Sequence, residues 1–150
     1  MATTLIAEVT IFFYLEPEVA GGIGPNSEIH HDDEKLVVTR LNYELESWLG
    51  DALLETTPCF IVTDDARQSI ECAALTGVSF SDVEVTRSTL FTDLHGNKAL
   101  PRFWWMVVQG RSEADDFGIA SDLRLVVSER ALAILQQVGL RHAEVELVAA

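Results

Sequence analysis

Apolar and polar residues alternate along several short stretches of the chain, and each such stretch predicts a β-strand. Thr4–Leu15 is rich in β-branched and aromatic residues, which favours a buried strand. Leu36–Leu45 alternates strictly and predicts a half-buried strand. Its alternate positions on one face are Val37, Thr39, Leu41, Tyr43 and Leu45. Residues 19–35 carry glycines, a proline and polar side chains, which predict a long surface loop.

One order of elements (strand, helix, glycine, strand) is written twice, in Pro58–Val85 and in Leu123–Leu147. Each helix follows a hydroxyl residue, Thr63 or Ser128. Such a residue suits the N-cap, because its side-chain oxygen accepts a hydrogen bond from an amide of the first turn. A glycine follows each apolar helical stretch, where a left-handed backbone ends a helix. We therefore expect two related structural units.

The repeat predicts the architecture. The two copies, approximately 36–87 and 101–150, each read as two strands, a helix and a third strand. We expect a single α+β domain over residues 1–150, with a mixed β-sheet built from two related β-β-α-β units plus an N-terminal strand. In this scheme Arg102–Gln109 corresponds to Leu36–Leu45. The apolar face of the strand after the first helix shifts between Phe80 and Val83, and an irregularity such as a bulge near Ser81 would reconcile the two positions.

The charge of the chain restricts its partners. The chain contains ten lysines and arginines and 24 aspartates and glutamates, which gives a formal net charge of −14. Such a surface repels phosphate backbones and anionic lipids, so we expect neither nucleic-acid nor membrane binding. It favours a basic partner. The apolar N-terminal run contains Glu8 and has no basic region before it, so it does not read as a signal peptide. Two cysteines, Cys59 and Cys72, are too few for a disulfide framework, and a cytoplasmic location follows as an expectation.

Candidate chemistry is sparse in this sequence. His30-His31-Asp32-Asp33-Glu34 holds five potential metal ligands in a row, but adjacent side chains diverge, whereas metal sites draw ligands from separate elements. Gly21-Gly22-Ile23-Gly24 lacks the lysine and the helix of a phosphate-binding loop. His142 aligns with Phe80 in the repeat, so it does not read as a base. We expect no catalytic, cofactor-binding or metal-binding residues and no cofactor.

Asp116 begins the tripeptide Asp116-Phe117-Gly118, which in protein kinases binds magnesium, but no other kinase motif is present. Its counterpart Asp51 occupies the equivalent loop of the first copy, at an offset of 65 residues. An aspartate present in both copies favours a role in capping or bracing a turn.

Trp104 and Trp105 must face opposite sides of their strand, because side chains alternate. A partly exposed tryptophan beside carboxylates would anchor a protein partner. The candidate partner-binding residues are Asp32, Asp33, Glu34, Trp105, Glu113, Asp115 and Asp116.

The segment VVSERALAILQQVGL with the following VEL, and its echo IVTDDARQSIECAALTGVSFSDVEV, resembles a pattern of the immunity proteins of bacterial polymorphic toxin systems. In that pattern a strand ending in Val-Val-Ser-Glu enters a helix, which closes at Gly-Val or Gly-Leu before a Val-Glu-Val strand. The resemblance covers a little under half of the chain and transfers no catalytic residue. It implies a cytoplasmic, non-enzymatic protein that binds a cognate toxin or effector protein and neutralises it.

Two other classes of function stay open at this point. The glycine-rich segment and the His-Asp cluster could serve a small-molecule or metal-binding domain. Alternatively, an enzyme could bring its residues together only in three dimensions. A deep pocket lined by perturbed carboxylates or by His142 would favour the enzyme, and a flat acidic face would favour the immunity function.

Overall fold

The computed structural model describes residues 10–149 of the chain, which form thirteen strands and three helices. In chain order the elements are β1 (Phe12–Glu16), β2 (Gly21–Ile23), β3 (Glu28–Asp32), β4 (Lys35–Arg40), β5 (Asn42–Leu45), β6 (Leu53–Thr56), β7 (Cys59–Thr63), α1 (Asp64–Cys72), β8 (Val78–Ser81), β9 (Glu84–Arg87), α2 (Thr89–His95), β10 (Phe103–Val108), β11 (Phe117–Ile119), β12 (Leu125–Ser128), α3 (Glu129–Gly139) and β13 (Glu144–Leu147). The predicted α+β class is confirmed. The part of the predicted first strand that precedes residue 10 lies outside the described residues.

Two four-stranded antiparallel sheets contain the repeated elements. Sheet 1 has the strand order β6-β7-β10-β8, and sheet 2 has the order β11-β12-β1-β13. Each sheet therefore combines a hairpin and a post-helix strand from one copy with a central strand from elsewhere in the chain. Strand β10 lies between β7 and β8, and β1 lies between β12 and β13. By position in the fold, the counterpart of β10 is β1 and not the predicted Leu36–Leu45.

The central strands explain how each helix returns to its sheet. Because β7 and β8 both run antiparallel to β10, they are parallel to each other, and α1 connects them across the strand between. Helix α3 makes the same connection from β12 to β13 across β1. Each copy is thus a split β-α-β unit, and each unit is completed by a strand that the other part of the chain supplies.

A single apolar core joins the two units. It contains Leu53, Phe60 and Met106 from sheet 1, and Leu15 and Leu125 from sheet 2. The buried faces of the two helices close this core with Ala66, Ile70, Ala131, Leu132 and Leu135. The burial of these apolar side chains stabilises the association of the two units.

The second face of sheet 1 is covered by a smaller core. Leu41, Tyr43 and Leu45 pack there against Ile61 and against Phe91 of α2. The covering layer, sheet 3, has the strand order β2-β5-β9, and its pair β5–β9 is parallel. This layer has no counterpart over sheet 2 among the described strands, because most of it is built from the long connection between β1 and β6.

The long connection differs from the sequence prediction. The predicted surface loop at residues 19–35 contains β2 and β3, and β3 pairs with β4 in a projecting hairpin. The predicted strand Leu36–Leu45 is two strands, because β4 ends at Arg40 and β5 enters sheet 3. The faces switch at this break: Leu41 is buried, whereas Val37 is 40% exposed.

The predicted bulge near Ser81 is likewise wrong. Strand β8 ends there in sheet 1, and the chain enters sheet 3 as β9. The apparent change of apolar face between Phe80 and Val83 therefore marks a change of sheet. The N-caps are as predicted, since the hydroxyls of Thr63 and Ser128 accept from amides of the first helical turn. The predicted end of the first helix at Gly77 is wrong, because α1 ends at Cys72 and the left-handed residue after it is Ala74, with φ 52°. Of the two cysteines, Cys59 is buried and Cys72 is exposed.

Asp51 and Asp116 brace the two units against each other. Asp51 precedes β6 and accepts from the backbone amides of Arg141 and His142 at 3.1 and 2.8 Å, in the loop after α3. Asp116 precedes β11 and accepts from the backbone amide of Thr76 at 2.8 Å, in the loop after α1. Each aspartate thus satisfies amide groups in the helix–strand loop of the other copy, which is the bracing role that the repeat predicted.

Asp116 is the more completely satisfied of the two. Its oxygens also accept from the hydroxyl of Ser128 at 2.6 Å and from the guanidinium of Arg130 at 2.9 and 2.7 Å. Burial alone would raise the pKa of this carboxyl, but the hydrogen bonds from Arg130, Ser128 and Thr76 outweigh it and hold the pKa well below its usual range.

We predict that Asp116→Asn lowers the free energy of unfolding by about 2–4 kcal/mol at pH 7, because an amide group would face donors inside the brace. The depressed pKa makes this contribution fully present above the usual aspartate range and lost as the pH falls towards the folded-state pKa. Urea unfolding from pH 7 down to pH 3 measures both effects. Asp115→Asn is the matched control, since the side chain of the half-buried Asp115 accepts one hydrogen bond from the described residues, from the Arg111 amide. Equal losses in the two variants would contradict the bracing role.

The glycines at the two helix–strand loops provide a second prediction. Gly77 has φ +95° and a Cβ there would overlap the carbonyl oxygen of Phe117, whereas Gly139 has φ +140° and open space around it. Both alanine variants carry backbone strain of about 1–2 kcal/mol, and Gly77→Ala adds the overlap. We expect Gly77→Ala to lose at least about 3 kcal/mol and Gly139→Ala clearly less, as measured by urea unfolding. A larger loss at Gly139 would show that the close contact does not matter.

Candidate functional site

Three potential ligand side chains from distant parts of the chain meet at one edge of the core. Glu18, Asp51 and His142 each offer one ligand atom, and these atoms lie within 4.8 Å of one another. Glu18 follows β1, Asp51 precedes β6, and His142 lies between α3 and β13. The fold therefore assembles this cluster where the two units meet.

Asp51 is the fixed member of the cluster. Only 2% of its surface is exposed, and its two oxygens accept from the backbone amides of Arg141 and His142. These amides are available because α3 has ended at Gly139 and β13 has not yet begun. The carboxylate is thus held in one orientation by backbone atoms, and its orientation does not depend on a flexible side chain.

His142 is the accessible member. Its Nδ1 lies 2.9 Å from Oδ1 of Asp51, and 41% of its side chain is exposed to solvent. A carboxylate hydrogen-bonded to Nδ1 fixes the orientation of the imidazole ring. The ring therefore forms the solvent-facing wall of the cluster.

Glu18 is the unsatisfied member. Its backbone is tied to β6, because its carbonyl accepts from the Glu55 amide at 2.9 Å. Its Oε2 is buried and has no hydrogen-bond partner among the described residues. Burial raises the pKa of Glu18, the charge of Asp51 raises it further, and His142 partly opposes the shift. Oε2 therefore has no donor among the described residues, although His142 lies nearby.

This arrangement can share a proton or bind a cation. Two carboxylates within 4.8 Å of each other repel when both are ionised, and either a proton or a metal ion relieves that repulsion. An imidazole beside two carboxylates is also a ligand set that transition metals accept. Among the described residues, the side-chain hydrogen bonds of the cluster join Asp51 to the Arg141 and His142 amides and to the His142 ring.

The internal symmetry shows what is special about this cluster. Glu18 forms an isolated parallel bridge with Leu54, and Arg111 forms the equivalent bridge with Ile119. The counterpart of Glu18 in the second copy is therefore Arg111. Asp51 corresponds to Asp116. Leu15 and Met106 occupy equivalent positions and pair with Val145 and Phe80, respectively. The strand registers therefore match Val145 with Phe80 and His142 with Gly77, so the predicted alignment of His142 with Phe80 is wrong. An arginine and a glycine stand where the cluster has a glutamate and a histidine.

The predicted partner-binding residues fall in two regions. Asp32, Asp33 and Glu34 are exposed at the tip of the β3–β4 hairpin, which we call the acidic hairpin (Glu28–Arg40). The two tip residues have φ 47° and 67°, as a two-residue hairpin turn requires. The contiguous ligand types therefore lie at a solvated turn and diverge, as expected.

Trp105 lies close to the acidic hairpin. It is half-buried and faces the smaller core, whereas Trp104 faces the main core, so the predicted division between faces is observed. A groove of about 240 Å³ separates β4 of the hairpin from sheet 1. The apolar side chains along this groove include Leu36, Val38, Trp105, Val107 and Ile119.

The remaining candidates lie in the loop before β11. Glu113 is exposed, Asp115 is half-buried, and Asp116 is buried in the brace described above. No hydrogen bond or ion pair between described residues joins this loop to the acidic hairpin. The side chain of Asp116 makes its hydrogen bonds inside the protein, whereas Glu113 is exposed to solvent.

Sequence reasoning missed the cluster of Glu18, Asp51 and His142. The repeat indicates a bracing role for Asp51, and the predicted alignment with Phe80 places His142 in a strand, whereas it lies in the loop before β13. Glu18 carried no signal, because Glu16-Pro17-Glu18 reads as the polar end of a strand. The repeat offset of 65 residues matches His142 with Gly77, so an alignment at that offset could have shown a potential ligand in place of a glycine. The position of Glu18, in contrast, depends on how the chain crosses from sheet 2 to sheet 1.

Comparisons with known proteins add no assignment: no protein-family model and no curated protein matches the chain. Among the described residues, every helix is too short or too polar to cross a bilayer.

We predict that Glu18→Gln raises the free energy of unfolding at pH 7 by about 1 kcal/mol. The raised pKa means that ionisation of Glu18 penalises the folded state. The penalty is absent below the usual glutamate range and grows as the pH rises through that range to the folded-state pKa. The gain should therefore vanish near pH 4. Urea unfolding at both pH values, with EDTA present, measures it.

Glu46→Gln is the matched control for this prediction, because Glu46 is exposed and shows no buried carboxylate oxygen. It should change stability by less than about 0.5 kcal/mol at either pH. A loss of stability in Glu18→Gln at pH 7 would contradict our account of the unsatisfied carboxylate.

Proposed function

We propose that this protein binds and neutralises a basic toxin or effector protein and does not itself catalyse a reaction. The observation that carries the proposal is the acidic hairpin, which projects beside an apolar groove containing Trp105. This combination provides an apolar anchor site next to a solvated block of negative charge. Those are the two features that interfaces use for affinity and for attraction of a charged partner.

The acidic hairpin is suited to contact with another molecule. Every residue of β3 is exposed, and β4 alternates between exposed and half-buried positions. Ile29 and Val37 are 41% and 40% exposed, so the hairpin offers apolar as well as acidic side chains. A basic protein that covers the hairpin would bury these apolar side chains and neutralise the carboxylates at the tip.

The charge of the whole chain supports the same kind of partner. A formal net charge of −14 favours encounter with a basic protein and speeds association at low ionic strength. The neutralising role rests on the resemblance of both strand-helix-strand segments to the immunity proteins of polymorphic toxin systems. Blocking a basic surface needs steric and electrostatic complementarity only, so no catalytic residue is required.

We expect the purified protein to bind the toxin domain encoded by a neighbouring gene with a Kd in or below about the micromolar range. Trp105→Ala should weaken binding by about 30-fold or more, since a buried aromatic anchor contributes at least about 2 kcal/mol. Trp104→Ala is the matched control on the opposite face and should leave the affinity unchanged. Calorimetric titration measures both, and circular dichroism checks the fold of each variant.

The electrostatic part of the proposal has its own test. Neutralising Asp32, Asp33 and Glu34 together should slow association by about tenfold at low salt, with a smaller effect at high salt. The control variant Glu46→Gln/Asp93→Asn/Glu129→Gln removes the same charge from exposed positions elsewhere. Equal effects in the two triple variants would show that the hairpin has no special role. Absence of binding at micromolar concentrations would overturn the proposed function.

A further inference from the structure

The cluster of Glu18, Asp51 and His142 has the construction of a metal site. Its three members come from three separate segments, and their ligand atoms lie within 4.8 Å of one another. Metal sites in proteins are assembled in this way, because ligands from different elements can converge on one point. The residues of the acidic hairpin, in contrast, follow one another along a turn.

A second observation points to a missing cation. The Oε2 atom of Glu18 is buried and has no hydrogen-bond partner among the described residues. Buried polar atoms are normally paired, and an unpaired carboxylate oxygen destabilises the fold. It lies beside Asp51, another carboxylate, so the local charge is unbalanced. A bound cation would supply both the missing partner and the missing charge.

We propose that Glu18, Asp51 and His142 bind a divalent transition-metal ion, with Zn²⁺ as the ion that fits best. Imidazole nitrogen with carboxylate oxygen is a ligand set that zinc accepts, whereas Mg²⁺ and Ca²⁺ favour oxygen ligands throughout. Three protein ligands leave at least one coordination position for water, so the site is open rather than purely structural.

The spacing of the ligand atoms fits such an ion. Nδ1 of His142 and Oδ1 of Asp51 are 2.9 Å apart. Two ligands with bonds of about 2.05 Å lie about 2.9 Å apart at a right angle and about 3.3 Å apart at a tetrahedral angle. The metal would replace the proton that these two atoms share. Glu18 would complete the site by a small movement, since nothing holds its Oε2.

The surroundings prepare the site. Two backbone amides hold the carboxylate of Asp51 in place, as outer-shell hydrogen bonds do in known metal sites. His142 is 41% exposed in its side chain and provides the entry from solvent. The cluster is therefore ordered on the buried side and open on the other, as a site that keeps bound water requires.

Titration of the full chain with ZnCl₂ after EDTA treatment and desalting tests the proposal. We expect one Zn²⁺ per chain with a Kd of about 1 µM or below, and Co²⁺ should give visible absorption bands typical of nitrogen and oxygen ligands. Glu18→Gln and His142→Phe should each weaken Zn²⁺ binding by about 100-fold. The second variant keeps an aromatic ring and removes both ring nitrogens.

The variant His30→Ala/His31→Ala is the matched control, because it removes the histidines of the acidic hairpin and leaves the cluster intact. It should keep the wild-type affinity. Loss of binding in this variant alone would show that the metal binds adventitiously to the hairpin. Unchanged binding in Glu18→Gln, or no binding to the wild type, would overturn the proposal. Since Glu18→Gln should melt at or above the wild-type temperature without metal, unfolding does not explain its loss of binding. The test requires no toxin and is independent of the proposed function.

Discussion

The hydrogen bonds that Asp51 and Asp116 make to the opposite unit are the constraint on which the rest of the structure depends. A split β-α-β unit leaves backbone amides without partners in the loop where the helix returns to its sheet, and buried amides must be paired. Here the partner comes from the other unit: Asp51 holds the loop after α3, and Asp116 holds the loop after α1. The same units also exchange central strands, since β1 completes sheet 2 and β10 completes sheet 1. Because each unit supplies both a strand and a carboxylate to the organisation of the other, neither would be complete alone.

The two bracing aspartates occupy equivalent positions but have different charged neighbours. Arg130 neutralises Asp116 and depresses its pKa, so that brace stabilises the folded state across the neutral range. Asp51 has a histidine and a second carboxylate instead, and Glu18 stands where the second copy has Arg111. Duplication thus explains why an aspartate is present at both places. It does not explain the surplus negative charge around Asp51, which costs stability and is expected where a site has been adapted to hold a ligand.

Local patterns in the sequence predicted what depends on local physics. Hydrogen bonding and periodicity within a few residues predict the caps at Thr63 and Ser128 and the apolar helix faces. The repeat predicts the bracing aspartates, because each of them follows from its counterpart in the other copy. The exchange of central strands could not be predicted, because β1 and β10 are both nearly continuous apolar runs and their pattern does not assign them to one sheet or the other. The break after Arg40 was missed for a similar reason. The alternation of the sequence continues through it, whereas the chain leaves the acidic hairpin and enters sheet 3. Glu18 was beyond reach because its environment is set by residues 33 and 124 positions away along the chain.

The distribution of candidate residues follows the difference between the copies. The second copy joins β10 to β11 by a short loop, whereas the first joins β1 to β6 by residues 17–52. That longer connection contains Glu18, the acidic hairpin and Asp51, and it builds most of the layer over sheet 1. His142, Trp105 and the loop residues Glu113, Asp115 and Asp116 come from outside it. The repeated elements therefore account for stability, and the insertion supplies two of the three cluster residues and the whole acidic hairpin. Glu18 near the start of the insertion and Asp51 near its end lie in the same cluster. The hydrogen bonds of Asp51 that hold the two units together therefore also fix the geometry of the insertion.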